Sequence, residues 1–104
     1  FLTSVRLEKI KENSVLSSGV KVARGAYIKD SVIMSNVTIG EGATINYSII
    51  DSDTVIGPGS VVGRTRSADE KITVVGSELT IEPGRDIPGG NMVNKEWLRE
   101  HGQK

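Results

Sequence analysis

The chain contains no cysteine, which excludes disulfides, thiolate zinc sites and thiol nucleophiles. Lys and Arg number 13 and Asp and Glu also number 13, so the net charge is zero and nothing indicates a nucleic-acid partner or an anionic membrane surface. No apolar run approaches the length of a membrane span or a signal peptide, so we expect a cytoplasmic location. The 104 residues suit one domain. The first residue is Phe1 rather than methionine, as expected for an excised piece of a longer protein.

What the chain does contain is a repeat of seventeen residues. Three consecutive copies begin at Ser14, Ser31 and Ser48 and read SVLSSGVKVARGAYIKD, SVIMSNVTIGEGATINY and SIIDSDTVIGPGSVVGR. A fourth copy, TVVGSELTIEPGRDIPG, begins at Thr73 after eight inserted residues, 65–72. A fixed period of this kind is typical of a solenoid in which each copy forms one coil.

Each copy carries Leu, Ile or Val at three fixed positions, separated by six, six and then five residues. Around these positions, inward and outward residues alternate with the period of a β-strand. We therefore predict that these residues form ladders along the axis of the solenoid. The predicted core residues are Leu16, Val22, Ile28, Ile33, Ile39, Ile45, Ile50, Ile56, Val62, Val75, Ile81 and Ile87.

Two further columns predict the corners between strands. One column consists of Gly25, Gly42, Gly59 and Gly84, and the other of Gly19, Asn36, Asp53 and Glu78. Gly, Asn and Asp tolerate the left-handed backbone of a tight bend, whereas Glu is an exception. Three short strands and three corners per coil predict an all-β, triangular solenoid of about four coils over residues 14–90, with coils about 4.8 Å apart.

The hexads VTIGEG, ATINYS and TVIGPG resemble the hexapeptide repeat of left-handed parallel β-helices. The phrases DSVIM and ITVVG, the second after a charged insertion, further resemble the C-terminal domain of ADP-glucose pyrophosphorylase (glucose-1-phosphate adenylyltransferase) over residues 13–90. The resemblance implies a left-handed β-helix. It also implies a role in assembly and regulation of an enzyme that converts ATP and glucose-1-phosphate into ADP-glucose and pyrophosphate for glycogen or starch synthesis.

Catalysis in that family belongs to an N-terminal nucleotidyltransferase domain, where a Gly-rich loop binds the nucleotide and acidic residues hold magnesium. The glycines of this chain are spaced as corners, so the segment alone is expected to be inactive, with no catalytic residues, no metal and no cofactor. Magnesium is expected only in the catalytic domain. The implied partners are that domain and identical or different subunits, and both a catalytic and a sister regulatory subunit fit the sequence.

Two other functions fit a hexapeptide solenoid. An acyltransferase of this type needs a trimer, an acyl-CoA groove and a general base, and the sole histidine is His101 in the polar tail REHGQK, where an exposed tail residue is the simpler interpretation. The three-histidine zinc site of γ-class carbonic anhydrases is excluded because the chain has one histidine. The other alternative is a β-helix subunit of another sugar-nucleotidyltransferase-like assembly, or a purely structural solenoid.

Four cations are candidates for an effector site. Arg64, Arg66 and Lys71 lie in or beside the inserted loop, and Arg85 occupies an inward position that is otherwise Ala or Ser. Enzymes of the resembled family are regulated by phosphorylated sugars or phosphate, and Arg suits bidentate contact with phosphate. The alternative is that the loop is a solvated excursion from one corner.

An apolar stripe is predicted on one outer face. The outward positions of the first strand in each copy are Val15, Val32, Ile49 and Val74, whereas the other two faces carry mixed residues. β-branched residues favour strands even at the surface, which is the alternative explanation. Four in register make a contiguous patch, and such patches usually mark an interface, here with another subunit or the catalytic domain.

The two ends depart from the repeat. Residues 1–13 are predicted to be either a linker or a degraded first coil, because Val5 fits the register of Val22 but Lys11 falls where an aliphatic residue is expected. Residues 91–104 are predicted to form a helix and tail, capped by Asn91 or Asn94. Val93 and Trp97, four residues apart, would share one side of that helix, with Trp97 covering the last coil.

Overall fold

A computed structural model describes residues 10–102 and shows a parallel β-solenoid that ends in one short helix, with extents of 43 × 32 × 25 Å. Sheet A contains, in spatial order, β1 (Ile10–Glu12), β4 (Tyr27–Lys29), β7 (Thr44–Asn46), β10 (Val61–Val62) and β13 (Asp86–Ile87). Sheet B contains β2 (Val15–Leu16), β5 (Val32–Ile33), β8 (Ser48–Ile50), β11 (Thr73–Val75) and β14 (Met92–Val93). Sheet C contains β3 (Lys21–Val22), β6 (Thr38–Ile39), β9 (Val55–Ile56) and β12 (Thr80–Ile81). The one helix of the described residues, α1, spans Lys95–Glu100.

Every strand pairing is parallel and joins one coil to the next in the register of the repeat. Ile33 lies opposite Ile50 in sheet B, Ile39 opposite Ile56 in sheet C, and Ile28 opposite Ile45 in sheet A. The three sheets form the three sides of the rod, so the predicted all-β solenoid is confirmed. It has about five turns rather than four, because partial coils lie at both ends. No helix in residues 10–102 has the length and apolar character needed to cross a membrane.

The core is built from the aliphatic columns. Ten of the twelve predicted core residues are buried, and Leu16 and Val22 of the first coil are half-buried. In the described range 10–102, the only strand below the first coil is β1, which belongs to sheet A. Within that range, sheets B and C have no strand there, so Leu16 and Val22 are partly uncovered on that side. Further buried apolar residues, such as Val37 and Leu79, fill the inward positions just before the columns.

Both predicted corner columns have left-handed backbone. Gly25, Gly42, Gly59 and Gly84 have φ between 68° and 72°, and Gly19, Asn36, Asp53 and Glu78 have φ between 57° and 76°. Glu78 thus follows its column despite its poor intrinsic tolerance of this region. The third corner, which the sequence did not identify, has positive φ at Asn13, Asp30 and Tyr47.

A ladder of buried hydroxyls supports that third corner. Ser31 Oγ donates to the carbonyl of Lys29 at 2.8 Å and accepts the N–H of Ser48 at 3.2 Å, and Ser14 repeats the arrangement one coil below. Thr73 Oγ1 likewise accepts the N–H of Gly90. Each hydroxyl therefore forms hydrogen bonds with backbone groups that have no partner in the sheets at the bend. Without these bonds, buried polar groups would be left unpaired and the fold would be less stable.

Two more hydroxyls join the third coil to the fourth. Thr54 Oγ1 donates to the carbonyl of Gly76 at 2.7 Å, and Ser60 Oγ donates to the carbonyl of Glu82 at 2.7 Å. In the described part of the chain, no buried side-chain nitrogen or oxygen lacks a hydrogen-bond partner. The polar residues inside the rod are thus compatible with its apolar columns.

The C-terminal segment differs from the prediction. Met92 and Val93 form β14, a fifth strand of sheet B, with Val93 opposite Val75 and buried. The helix begins only at Lys95, where Asn94 Oδ1 accepts the N–H of Trp97 at 2.7 Å as the N-cap. Leu98, 6% exposed, belongs to the buried core, and the half-buried Trp97 packs against the same core. Leu98 is the one buried residue of this helix.

At the other end, Ile10–Glu12 form a strand of sheet A in which Lys11 lies opposite Ile28. Lys11 is exposed, as expected for a charged residue on the terminal strand of the described rod. Val5, which belongs to the same prediction, lies outside the described residues.

Candidate functional site

The apolar stripe lies on the outer face of sheet B, and its residues stand in direct register. Val15 pairs with Val32, Val32 with Ile49, and Ile49 with Val74. Met92 pairs with Val74 and extends the stripe by one residue that the sequence did not assign to it. Because adjacent strands lie about 4.8 Å apart, these side chains form one continuous ridge along the rod.

The ridge is accessible along its length and most exposed at its ends. Val15 is 61% exposed and Met92 is 72% exposed, whereas Ile49 and Val74 are shielded to a greater extent by their neighbours. Ile72, two residues before Val74, and Met34, two residues after Val32, are also exposed. Sheet B therefore presents a broad apolar surface rather than isolated apolar residues.

The inserted loop leaves the solenoid at the corner between sheets A and B. Arg64, just before it, donates to the carbonyl of Gly63 at 2.8 Å and forms an ion pair with Asp86 at 3.0 Å. A longer contact reaches the carbonyl of Ile87 at 3.4 Å. These contacts tie the start of the loop to the coil above and use much of the hydrogen-bonding capacity of the guanidinium group.

Within the loop, Arg66 and Glu70 contact different parts of the rod. The guanidinium carbon of Arg66 lies 5.8 Å from the centre of the Tyr47 ring, within cation–π range. Glu70 packs against Gly89, since a Cβ added there would overlap the Glu70 carboxylate. Lys71 lies beside Gly90 and makes no ion pair among residues 10–102. The loop therefore contacts the rod through Arg66 and Glu70, whereas most of its residues are exposed.

Arg85 lies under the C-terminal helix. Its Nη2 donates to the carbonyl of His101 at 2.7 Å, and its guanidinium carbon lies 5.6 Å from the centre of the Trp97 ring. The indole Nε1 of Trp97 donates to Asn91 Oδ1 at 3.3 Å. Because Arg85 belongs to the last complete coil, its side chain leaves the crowded interior and anchors the helix.

The four predicted effector residues thus have separate surroundings. Arg64 is paired with Asp86, Arg66 lies on Tyr47, Lys71 lies near Gly90, and Arg85 contacts the helix. Lys71 and Arg66 are exposed on the loop, whereas Arg64 and Arg85 are engaged with Asp86 and His101.

His101 is held by the helix that it ends. Its ring stacks on Trp97 with centroids 4.0 Å apart, and its Nδ1 lies 2.8 Å from the carbonyl of Trp97. A carbonyl oxygen can only accept, so Nδ1 carries the proton and Nε2 is left as the basic nitrogen. Within residues 10–102, no three His, Asp or Glu side chains converge as a metal ion would require.

On sheet A, Tyr27 of β4 makes a side-chain contact with β1. Its hydroxyl donates to Glu12 Oε1 at 3.2 Å, and Lys29 Nζ lies 3.9 Å from the same oxygen. Partial desolvation raises the pKa of the Tyr27 phenol above its usual value, and the hydrogen bond to Glu12 raises it further. This cluster is a surface contact between coils and carries no feature of a catalytic site.

Comparison with known proteins identifies a family. A family model described as GlmU-like, C-terminal hexapeptide, matches residues 5–81, well over half of the chain. Neither a curated protein nor a solved structure matches the chain significantly. The matched range begins before the first described strand and ends with β12, so it covers the first three copies, the inserted loop and about half of the fourth copy.

Proposed function

Because the chain belongs to the GlmU-like C-terminal hexapeptide family of left-handed β-helices, we propose that it is a non-catalytic assembly and regulatory domain of a glucose-1-phosphate adenylyltransferase. The phrases DSVIM and ITVVG support this choice within the wider group of nucleotidyltransferases and acyltransferases that carry such domains. The reaction of ATP with glucose-1-phosphate, and the magnesium that it needs, would belong to a separate catalytic domain. The proposed site of action in the cell is the cytoplasm.

The observation that carries the assembly role is the apolar ridge on sheet B. It comprises the stripe and Met92, and its two terminal residues, Val15 and Met92, are more than half exposed. Exposed contiguous apolar surface is uncommon on soluble monomers and usually marks an interface. A second subunit or the catalytic domain would cover it, and we propose a second subunit as the partner in the isolated domain.

The regulatory role is proposed for the basic residues of the loop. Arg66 and Lys71 are exposed and have no carboxylate partner among residues 10–102, so they are available to a phosphate or sugar-phosphate effector. Arg64 is already paired with Asp86 and would position the loop, and Arg85 is already bonded to His101 and would position the helix. An effector that also contacts the catalytic domain would bind the isolated chain weakly.

The assembly role is tested by charging the stripe. Val32→Lys with Ile49→Lys should leave the fold intact but lower the solution mass, because two ammonium groups would have to be desolvated in the interface. The matched control is Thr38→Lys with Val55→Lys, which makes the same change in the same two coils on sheet C. Multi-angle light scattering gives the mass, and circular dichroism confirms the fold.

The expected result is an oligomeric wild type and control, and a folded monomeric stripe variant. A wild-type chain that stays monomeric at high concentration would contradict self-association through sheet B. Equal dissociation of both variants would show that added charge, rather than the stripe, controls the mass.

The second candidate is a hexapeptide acyltransferase, favoured by one observation. The tautomer imposed on His101 leaves Nε2 basic, as a general base for acyl transfer requires. Against this, stacking on Trp97 covers one face of the ring. Transfer of an acetyl group from acetyl-CoA that is abolished by His101→Asn would favour this candidate over the assembly role.

A further inference from the structure

A cavity of about 670 Å³ lies between α1 and the last strand of sheet C. Leu79 and Leu98 form its apolar lining, and Glu78, Lys95, Arg99 and Gly102 lie around them. Its volume falls within the roughly 300–1,000 Å³ that is usual for small-molecule sites.

The cavity follows from the way in which the solenoid ends. Sheet B gains a fifth strand, β14, but the chain then turns into α1, so among the described residues sheet C ends at β12. Leu98 covers the middle of the last coil, and the space beside it, above Leu79, is not filled. A complete fifth coil would occupy this space, whereas a single short helix cannot.

The charges around the cavity favour an anion. Lys95 and Arg99 are four residues apart on α1 and therefore lie on the same side of the helix. Both are exposed, and neither makes an ion pair or a side-chain hydrogen bond within the described range 10–102. Glu78 is the one acidic residue of the lining, so the lining carries a net positive charge.

We propose that this cavity binds a small amphipathic anion, specifically an aliphatic carboxylate. Its hydrocarbon chain would lie against Leu79 and Leu98, where burial of apolar surface is favourable. Its carboxylate would face Lys95 and Arg99, which supply charge-assisted hydrogen bonds. A fully polar phosphate compound fits less well, because polar groups would be desolvated against the two leucines without partners. The site does not depend on the assembly role, since it lies at the end of the rod and not on sheet B.

The test is a titration of the whole chain with decanoate. Amide shifts in ¹H–¹⁵N NMR spectra should saturate and be largest at Leu79, Leu98 and Gly102. Decanol, which has the same chain without the charge, should bind more weakly. Shifts that are instead largest along Val15, Val32 and Met92 would overturn the proposal, because they would indicate general apolar binding to sheet B.

Variants test the role of charge. Lys95→Gln with Arg99→Gln should weaken decanoate binding by roughly five- to tenfold, as expected for the loss of two partly exposed ion pairs. The control, Lys21→Gln with Arg24→Gln, removes the same charge from exposed residues of the first coil and should bind as the wild type does. Equal affinity of the two double variants, or equal binding of decanol and decanoate by the wild type, would overturn the proposal.

Discussion

At the scale of single residues, two glycines lie directly beneath prolines of the next coil. A Cβ added to Gly57 would lie 2.5 Å from Pro83 N and 2.7 Å from the carbonyl carbon of Glu82. Gly40 has the same relation to Pro58, at 2.6 Å. Neither glycine has positive φ, so their role is to allow close approach of two backbones rather than a left-handed bend.

We predict that Gly57→Ala destabilises the fold by about 1–3 kcal/mol, the usual cost of overpacking a site that cannot yield. Gly89→Ala is the matched control, because the added methyl group would meet mainly the mobile end of the Glu70 side chain. It should change stability by less than about 0.5 kcal/mol, as surface substitutions do. Urea unfolding followed by circular dichroism compares the two, and equal midpoints would contradict the explanation.

Residue types predicted some backbone conformations and missed others. The Gly, Asn and Asp columns indicated two corners, because these residues tolerate left-handed backbone. The third corner has Asn13 and Asp30 in the first coils but Tyr47 at φ 48°, a residue with no such preference, in the next, so its column was not recognised. There the register of the neighbouring coils and the serine ladder determine the conformation instead.

At the scale of elements, α1 closes the solenoid mainly through Leu98, its one buried residue. Leu98 is buried, Asn94 caps the helix, and Arg85 and the His101 carbonyl join its end to the last coil. An isolated helix of six residues is not stable in water, so α1 depends on this packing.

Leu98→Ala should therefore cost about 2 kcal/mol or more, the lower part of the range for removing a buried leucine side chain. The exposed Glu100→Ala variant controls for a change of side chain in the same helix. Hydrogen exchange should show loss of protection at the amide of Leu98, which donates to the carbonyl of Asn94, in the first variant only. Unchanged protection in Leu98→Ala would show that the helix is held by other contacts.

The sequence predicted a helix at this end but not β14. The offset from Val75 to Val93 is eighteen residues, because the turn at Pro88–Gly90 is one residue longer than its counterparts, so Val93 falls out of a seventeen-residue register. Its four-residue spacing from Trp97 then favoured a helix. The contact that resolves the ambiguity, pairing of Met92 with Val74, is non-local and has no local signal.

At the scale of the whole molecule, stability comes from stacked aliphatic columns. Ile39 is fully buried between Val22 below and Ile56 above, so a change there affects three coils at once. The twelve-residue pattern was recognisable from sequence because all coils repeat it. The contacts of the four predicted effector residues could not be recognised from the sequence, since they depend on coils that are distant along the chain. These residues are Arg64, Arg66, Lys71 and Arg85.

Ile39→Asp should abolish folding, because burying an unpaired carboxylate costs several kcal/mol and a domain is stable by only about 5–15 kcal/mol. Thr38→Asp, which places the same group on the outer face one residue earlier, should remain folded. Thermal melting measured by circular dichroism distinguishes them. A cooperative transition in Ile39→Asp at the wild-type temperature would contradict the inward orientation.

The register of the strands also determines where folding of the solenoid can begin. Each pairing joins residues 17, 18 or 25 positions apart, as for Ile33 with Ile50, Val75 with Val93 and Ile56 with Ile81. No contact between strands requires the two termini to meet, so a nucleus can arise in any adjacent pair of coils and grow in either direction. Closing a longer loop costs more entropy, so we expect growth across the insertion to be the slower step in either direction.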